Sequence, residues 1–294
     1  VAKERIPVAQ IHATALVDPR AELGHDVVVG PWCIVEAGAV VGDGCRLEAR
    51  SVVKSRTTLG TNNEIGEGAV IGGVAQHVQV HNPGGTLLIG SHNRIRENVT
   101  IHRGWNNDAA TTIGDHNMFM VGSHAAHDCR VGNHCIFVNH VLLGGHVQID
   151  DRAYLGGAAA VHQFCRVGRL AMIGAIAKIT QDVPPFVMIE GAGGSEVIGL
   201  NKVGLRRNGY TPDQILQLKT AYRIIYREGR RWNEVLDILK TEFSDGPAAL
   251  FHEFFNAGKR GFVQERRISQ KATLKLVNPA CDTDEGEERR HEAA

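Results

Sequence analysis

Reading every sixth residue from Ile11 to Ile179 gives an almost unbroken apolar column. Its densest stretch is Ile113, Phe119, Ala125, Val131, Phe137, Leu143, Ile149, Leu155, Val161, Val167, Ile173 and Ile179. Only His77, Pro83 and Asn107 break the column. A period of six fits neither the roughly 3.6-residue helix nor the two-residue strand alternation. It therefore marks an internal repeat. Glycine directly follows many column residues, as at Gly24, Gly42, Gly60, Gly90, Gly114 and Gly132. The pattern predicts a prism with short strands on its faces, the aliphatic residue pointing inward and small or turn-forming residues at the corners. Three repeats make one coil of about 18 residues, and coils stack at about 4.8 Å. The fold class is an all-β solenoid.

The breaks fall in two places. Residues 74–86 contain Gln76, His77, Gln79, His81, Asn82 and Pro83, and residues 104–110 contain Trp105-Asn106-Asn107-Asp108. Both read as loops leaving the prism, the usual seat of binding chemistry on a regular scaffold. The column ends near Gln181-Asp182-Val183-Pro184-Pro185, where paired prolines stop a ladder. The solenoid domain is accordingly placed at 1–190 and a small α-helical domain at 191–264. Thr211-Pro212 offers an N-cap and a first-turn proline. Further helices are expected from Asn233 and over 247–257. From Glu265 onward the chain is charged and poor in large apolar residues, and 265–294 is expected to be a disordered tail.

Lys plus Arg and Asp plus Glu are both 32 in 294 residues, a formal net charge of zero. That balance argues against bulk electrostatic binding to nucleic acid or membrane. No apolar run approaches the roughly 18 residues that span a bilayer, and Val1 to Arg5 lead into no signal-peptide core. The six cysteines are scattered without a CxxC pair, so reduced thiols and a cytoplasmic location are expected.

Histidines crowd the middle of the chain, from His102 to His162. Adding one coil to His127 reaches Gly145, and adding a second reaches Gln163. Asp128 and His146 form the adjoining column, and His162 stands beside Gln163. Stacking thus turns a scattered set into one strip along a prism edge. A lone histidine is ordinarily a surface group, whereas several beside a carboxylate mark a site. Two chemistries compete for it. The γ-type carbonic anhydrases bind zinc through one histidine, a gap of about 35 residues and then a pair five apart. His81 to His116 has the gap, but the next required position is Val121, so one chain lacks that ligand set. General-base acyl transfer fits better. A neutral imidazole can take the proton of a hydroxyl attacking a thioester, while a backbone N–H beside a glycine holds the oxyanion.

The segments Ile101-His102-Arg103-Gly104, His124-Ala125-Ala126-His127-Asp128-Cys129, Gly145-His146-Val147, Val161-His162-Gln163-Phe164-Cys165 and Gln181-Asp182-Val183-Pro184-Pro185 resemble those of the UDP-N-acetylglucosamine O-acyltransferase family of lipid A synthesis. The similarity runs over about residues 11–262. It implies a left-handed parallel β-helix of hexapeptide repeats, a homotrimer with sites between neighbouring prisms, and no cofactor or metal. The implied reaction moves a (3-hydroxy)acyl chain from acyl carrier protein to the 3-hydroxyl of UDP-N-acetylglucosamine. By the same resemblance His127 is the general base, Asp128 polarises it and the Gly145 N–H stabilises the oxyanion. His102, His124, His146, His162 and Gln163 would line the cleft, and Asn201 and Arg207 would reach the nucleotide or the carrier protein. Arg166, Arg169, Lys202, Arg206 and Arg207 would offer the acidic carrier a basic patch.

Several positions depart from the family pattern. His77 and Gln79 replace an aspartate for the sugar and a nearby lysine. Val203 and Asn208 stand where an acidic and a basic residue help to hold the uridine diphosphate. Ala175 replaces a glycine beside the acyl tail. These changes keep three rivals open: a related acyltransferase with another sugar-nucleotide acceptor, a metal-binding β-helix protein of the carbonic anhydrase kind, and a catalytically silent scaffold.

Overall fold

The computed structural model describes residues 9–79, 84–192, 195–258 and 260–266. Strands of mostly two residues, from Gln10–Ile11 onward, form three sheets of eleven, nine and eight strands. Successive strands go to successive sheets, so each pairs with the third strand after it and three flat faces enclose the core. The first face begins with Gln10–Ile11, the second with Leu16–Val17 and the third with Glu22–Leu23. On the second face His124 pairs with Leu142, and Leu142 with Ala160. On the third, Arg130 pairs with Gln148, and Gln148 with Arg166. This is the register the column predicts. It lengthens where Thr100 pairs with His124 and where Glu64 pairs with Arg94, which accommodates the two loops.

Each repeat turns two residues inward, one more than the sequence column revealed. The large apolar residue is followed four positions later by a small one, as in Val29 and Cys33, Val131 and Cys135, or Ile149 and Ala153. Cys33, Cys45, Cys129, Cys135 and Cys165 are free and buried in this small slot. Burial pushes Cys129 and Cys135 up to about 12 and Cys165 to about 11, which makes them poor nucleophiles. Three asparagines in the same slot form an internal ladder. Asn93 N–H donates to Asn63 Oδ1 at 2.9 Å, Asn117 N–H to Asn93 Oδ1 at 2.9 Å, and Cys135 N–H to Asn117 Oδ1 at 2.7 Å.

The corners correct the expected role of glycine. The left-handed corner residue lies three positions after the large inward one and is often bulky: Trp32, Phe164, Leu170, Ile176 and Phe186 all have φ between 55° and 67°. Each such residue costs about 1–2 kcal/mol of local strain, which the surrounding ladder must outweigh. The glycines that directly follow the column residues are needed for close stacking. A Cβ on Gly60 would come within 2.6 Å of the Gly90 carbonyl oxygen, and one on Gly114 within 2.6 Å of that of Gly132.

The ladder continues past the prolines. Val187–Ile189 pairs in parallel with the strand at Met172, and Val197–Leu200 then adds an antiparallel edge that the sequence pattern did not indicate. Among the described residues four helices follow: α1 Lys202–Arg207, α2 Pro212–Tyr226, α3 Trp232–Glu242 and α4 Ala249–Asn256. The short α1 was not expected. α2 starts as predicted, with a capping box between Thr211 and Gln214 and Pro212 in its first turn. Phe186, in the last coil, meets Tyr210 and Phe251 of the helical region. Arg166 of the third face bonds Asp182 at 2.8 Å and the Phe254 carbonyl at 2.8 Å, and lies 4.2 Å over the Phe254 ring. The helices therefore close the prism end and fold back on its third face. Glu265 and Arg266 do not behave as the start of a free tail. Glu265 accepts from Tyr222 Oη at 2.8 Å and Arg266 pairs with Glu190 at 2.8 Å. The remainder of the expected tail, 267–294, lies outside the described residues.

Asn93→Ala removes the acceptor of the buried Asn117 N–H and the donor of a 3.0 Å bond to Asn63 Oδ1. A buried orphaned group costs about 1–3 kcal/mol, so chemical denaturation of this variant should give a loss of that size.

Candidate active site

Three insertions of chemistry converge on one edge. The strands Val70–Gly73, Thr100–His102 and His124–Ala125 belong to the second face, and each is followed by a strand of the third. The two loops and the His127-Asp128 turn therefore leave the prism at the same edge. The loop bases are stitched together, Gly85 N–H donating to the Gly104 carbonyl at 2.8 Å and Gly104 N–H to that of Thr86 at 3.0 Å.

At this edge His127 Nδ1–H donates to Asp128 Oδ2 at 2.6 Å. With its proton there, the neutral ring leaves Nε2 bare as a base. Both side chains are nearly enclosed, at 8% and 10% exposure. Asp128 sits at a left-handed corner, φ 60°, with its N–H on Thr111 Oγ1 at 2.8 Å. Its Oδ2 also receives the Trp105 N–H at 3.2 Å. One coil on, the His127 ring lies over Gly145, where a Cβ would come within 2.8 Å of Nε2 and Cε1. Gly144 N–H and His146 N–H donate to the Val161 and His127 carbonyls. Among the described residues no hydrogen bond engages the Gly145 N–H between them. A bare base thus lies beside a glycine whose backbone donor is unused.

His146 stands edge-on to His127, ring centroids 5.2 Å apart, with Nε2 3.8 Å from Asp128 Oδ2. Phe164 stacks on its far side at 4.5 Å. Burial lowers the His146 pKa, partly opposed by Asp128. Across the edge, His77 packs on Trp105 at 4.3 Å and approaches the His127 ring at 5.9 Å. Trp105 Nε1–H bonds the Gln79 carbonyl at 2.7 Å, and Gln79 N–H donates to His77 Nδ1 at 3.1 Å. Sequence reasoning passed over Trp105, Thr111 and Phe164. For Trp105 a signal was present, since a large aromatic stood in a loop that interrupts the repeat.

His102 and His124 lie below this group with rings 4.9 Å apart. His124 Nδ1 shares a 2.7 Å bond with Thr100 Oγ1, while His102 is buried with Nδ1 unpartnered. Burial, followed by the neighbouring His124 and His127, lowers the His102 pKa to about 4. His162 and Gln163 occupy the next coil of the same edge and are exposed, with Arg260 donating to the Gln163 carbonyl at 3.0 Å. Three expected site residues lie elsewhere. Ala175 is exposed at the edge between the first and second faces. Asn201 is buried and caps α1, accepting from Gly204 N–H and donating to the Leu170 carbonyl. Arg207 is exposed on α1, which is tied to the edge between the third and first faces by a 2.7 Å bond from Arg152 to Asn208. Asn208 also bonds the Gly204 carbonyl, so it serves the helix end.

A coil of six-residue repeats with a histidine–aspartate pair at its edge defines the hexapeptide-repeat transferases, and residues 9–43 and 38–73 match the family described as bacterial transferase hexapeptide (six repeats). Residues 182–263 match UDP-N-acetylglucosamine O-acyltransferase, domain 2. The acyl-[acyl-carrier-protein]–UDP-N-acetylglucosamine O-acyltransferase of Stutzerimonas stutzeri is 42% identical over 256 residues, 86% of this chain and 99% of the relative. The solved UDP-N-acetylglucosamine O-acyltransferase of Moraxella catarrhalis is 37% identical with a TM-score of 0.83, covering 86% of this chain and 99% of its own. That of Francisella novicida is 33% identical with a TM-score of 0.85, covering 88% and 95%. The chain belongs to the UDP-N-acetylglucosamine O-acyltransferase family. Its fold is the left-handed parallel β-helix with a small helical domain that the resemblance implied.

Two outcomes follow from this geometry. Gly145→Ala drives a methyl group into the His127 ring, so turnover should fall by about 10²-fold or more while circular dichroism and the melting transition change little. The second concerns acid. His102 is kept neutral when folded, whereas in the unfolded chain it takes up a proton near its ordinary value of 6.5. Between about pH 6.5 and 4 the unfolded state binds the extra proton, so stability falls as pH drops through that window. Urea unfolding at stepped pH should show this slope, and His102→Gln should flatten it.

Proposed function

We propose that this chain transfers an acyl group from acyl carrier protein to the 3-hydroxyl of UDP-N-acetylglucosamine, the first step of lipid A biosynthesis. The observation that carries the reading is the bare Nε2 of the Asp128-bound His127 lying over Gly145, whose N–H is unused. The names of the relatives give the donor and the acceptor. In the proposed cycle His127 Nε2 takes the proton of the attacking hydroxyl as its oxygen bonds to the thioester carbon. The carbonyl oxygen becomes an oxyanion held by the Gly145 N–H. Asp128 stabilises the imidazolium, the C–S bond breaks, and the proton passes to the departing thiolate. No cofactor is required.

The working assembly in this reading is a homotrimer in the cytoplasm. His127 lies at a different edge of the prism from Asn201, which caps α1, and from Arg207 on α1, so a ligand touching both sets must lie between two chains. The first face carries the exposed apolar residues Ile136, Tyr154 and Met172, and the second face carries Leu142, as a contact between prisms requires. No helix among the described residues is long and apolar enough to cross a membrane.

A second acceptor remains within this reading because of His77. Its Nδ1 accepts the Gln79 N–H, so the neutral ring offers an Nε2–H donor where the family pattern has a carboxylate acceptor. A thiol-release assay with an acyl carrier protein thioester and competing sugar nucleotides tests both points. His127→Ala should lower turnover by about 10²–10⁴-fold, and Asp128→Asn by less. The active species should sediment as a trimer. Near-normal turnover in His127→Ala would reject the base assignment. A preference for another sugar nucleotide would reject UDP-N-acetylglucosamine.

A further inference from the structure

We propose that His127, Asp128 and His146 also form a binding site for one divalent transition-metal ion of the zinc type, and that its occupation switches the general base off. The ligand atoms of these three residues all lie within 4.8 Å of one another. Asp128 Oδ2 is at their centre, 2.6 Å from His127 Nδ1 and 3.8 Å from His146 Nε2. Two imidazole nitrogens and a carboxylate oxygen are a donor set that zinc takes readily. Bonds of about 2.0–2.2 Å place tetrahedral donors about 3.3 Å apart. The short separation of 2.6 Å must therefore open by about 0.7 Å and the long one of 3.8 Å close by about 0.5 Å. His146 is part-exposed, so its ring has room to turn. The donors are held from outside: Asp128 Oδ2 accepts from the Trp105 N–H, the Asp128 backbone N–H donates to Thr111 Oγ1, and the Phe164 ring stacks on His146.

The consequence for the base follows from the single proton of a neutral imidazole. Metal at Nδ1 occupies the lone pair there, so the proton must sit on Nε2. Nε2 is the atom that takes the hydroxyl proton in the proposed reaction, so the ring can no longer accept one. Asp128 is at the same time withdrawn from the ring it would stabilise. The inhibition rests on the acyl-transfer reading, whereas the metal site does not.

A separate histidine row, His92, His116 and His134, lies on another edge, its rings stacked at 4.8 Å and 4.9 Å with planes within 2°. Parallel rings keep their lone pairs in separate planes, so they cannot share one ion and they serve as the control. Asp128, His146 and His116 all have φ close to 60°, which asparagine tolerates, so Asp128→Asn, His146→Asn and His116→Asn should all fold. The full chain is dialysed against Zn²⁺ alone, and Co²⁺ is added separately to read the visible spectrum of the ligated ion. Wild type and His116→Asn should bind one ion per chain, and Asp128→Asn and His146→Asn should bind at least about 10-fold more weakly. Acyl transfer by wild type should fall over the same zinc range and return on chelation. Unchanged affinity in His146→Asn, loss of binding in His116→Asn, or no binding at about 100 µM would overturn the site. Zinc bound at this site with turnover untouched would overturn the switch. Absence of acyl transfer without metal would count against the proposed reaction alone, since dialysis judges the site independently.

Discussion

The backbone ladder between successive coils is the constraint on which the rest of this molecule depends. Strands of two residues have no stability of their own; each is held only because its N–H and C=O groups meet those of the coils before and after it. A slip of one residue would turn every inward aliphatic side chain to the outside, so the buried column locks the register. That locked register places His127 over Gly145 and Asp128 beside His146. The candidate site is built on the regular coils, where one ring is set over one glycine by the ladder.

The same ladder explains how strain and insertion are tolerated together. Bulky residues such as Phe164 and Phe186 occupy left-handed corners because neighbouring coils fix the turn on both sides. The loops after Gly73 and after His102 leave at a single edge, and the ladder closes again with Thr86 paired to Ala110. What the insertions add is a second wall. Trp105 binds Asp128 through its backbone and Gln79 through its indole, so the loop carrying His77 is fastened to the His127–Asp128 pair. A change in that loop can therefore alter what is recognised while leaving the His127–Asp128 bond in place.

The electrostatics of the edge are those of a partly buried histidine group around one carboxylate. Burial disfavours protonation of His102, His124 and His146, and each neighbouring imidazole adds to that effect. Asp128 is the carboxylate among them, and two imidazoles compete for it. The balanced net charge of the chain gives no hint of this local arrangement, because it is produced by stacking.

The sequence alone determined the repeat, and the repeat determined the prism, because only a coil of three hexads turns every sixth residue inward. It also determined the vertical partners of His127, since addition of one coil length is a statement about register. The start of α2 was legible in Thr211, Pro212 and Gln214, whose capping chemistry is local. Tertiary structure alone decided what depends on distant segments meeting. The inward slot filled by cysteines and asparagines has no hydrophobic signature, so the column did not reveal it. Glycine's role passed from turn-making to close stacking because only the neighbouring coil supplies the clash. Trp105 reached Asp128, and both loops reached the same edge, because the faces on which their strands end are fixed by the winding. Asn201, Ala175 and Arg207 fell away from His127 for the same reason: a prism has three edges, and one chain presents a different part of the candidate site at each.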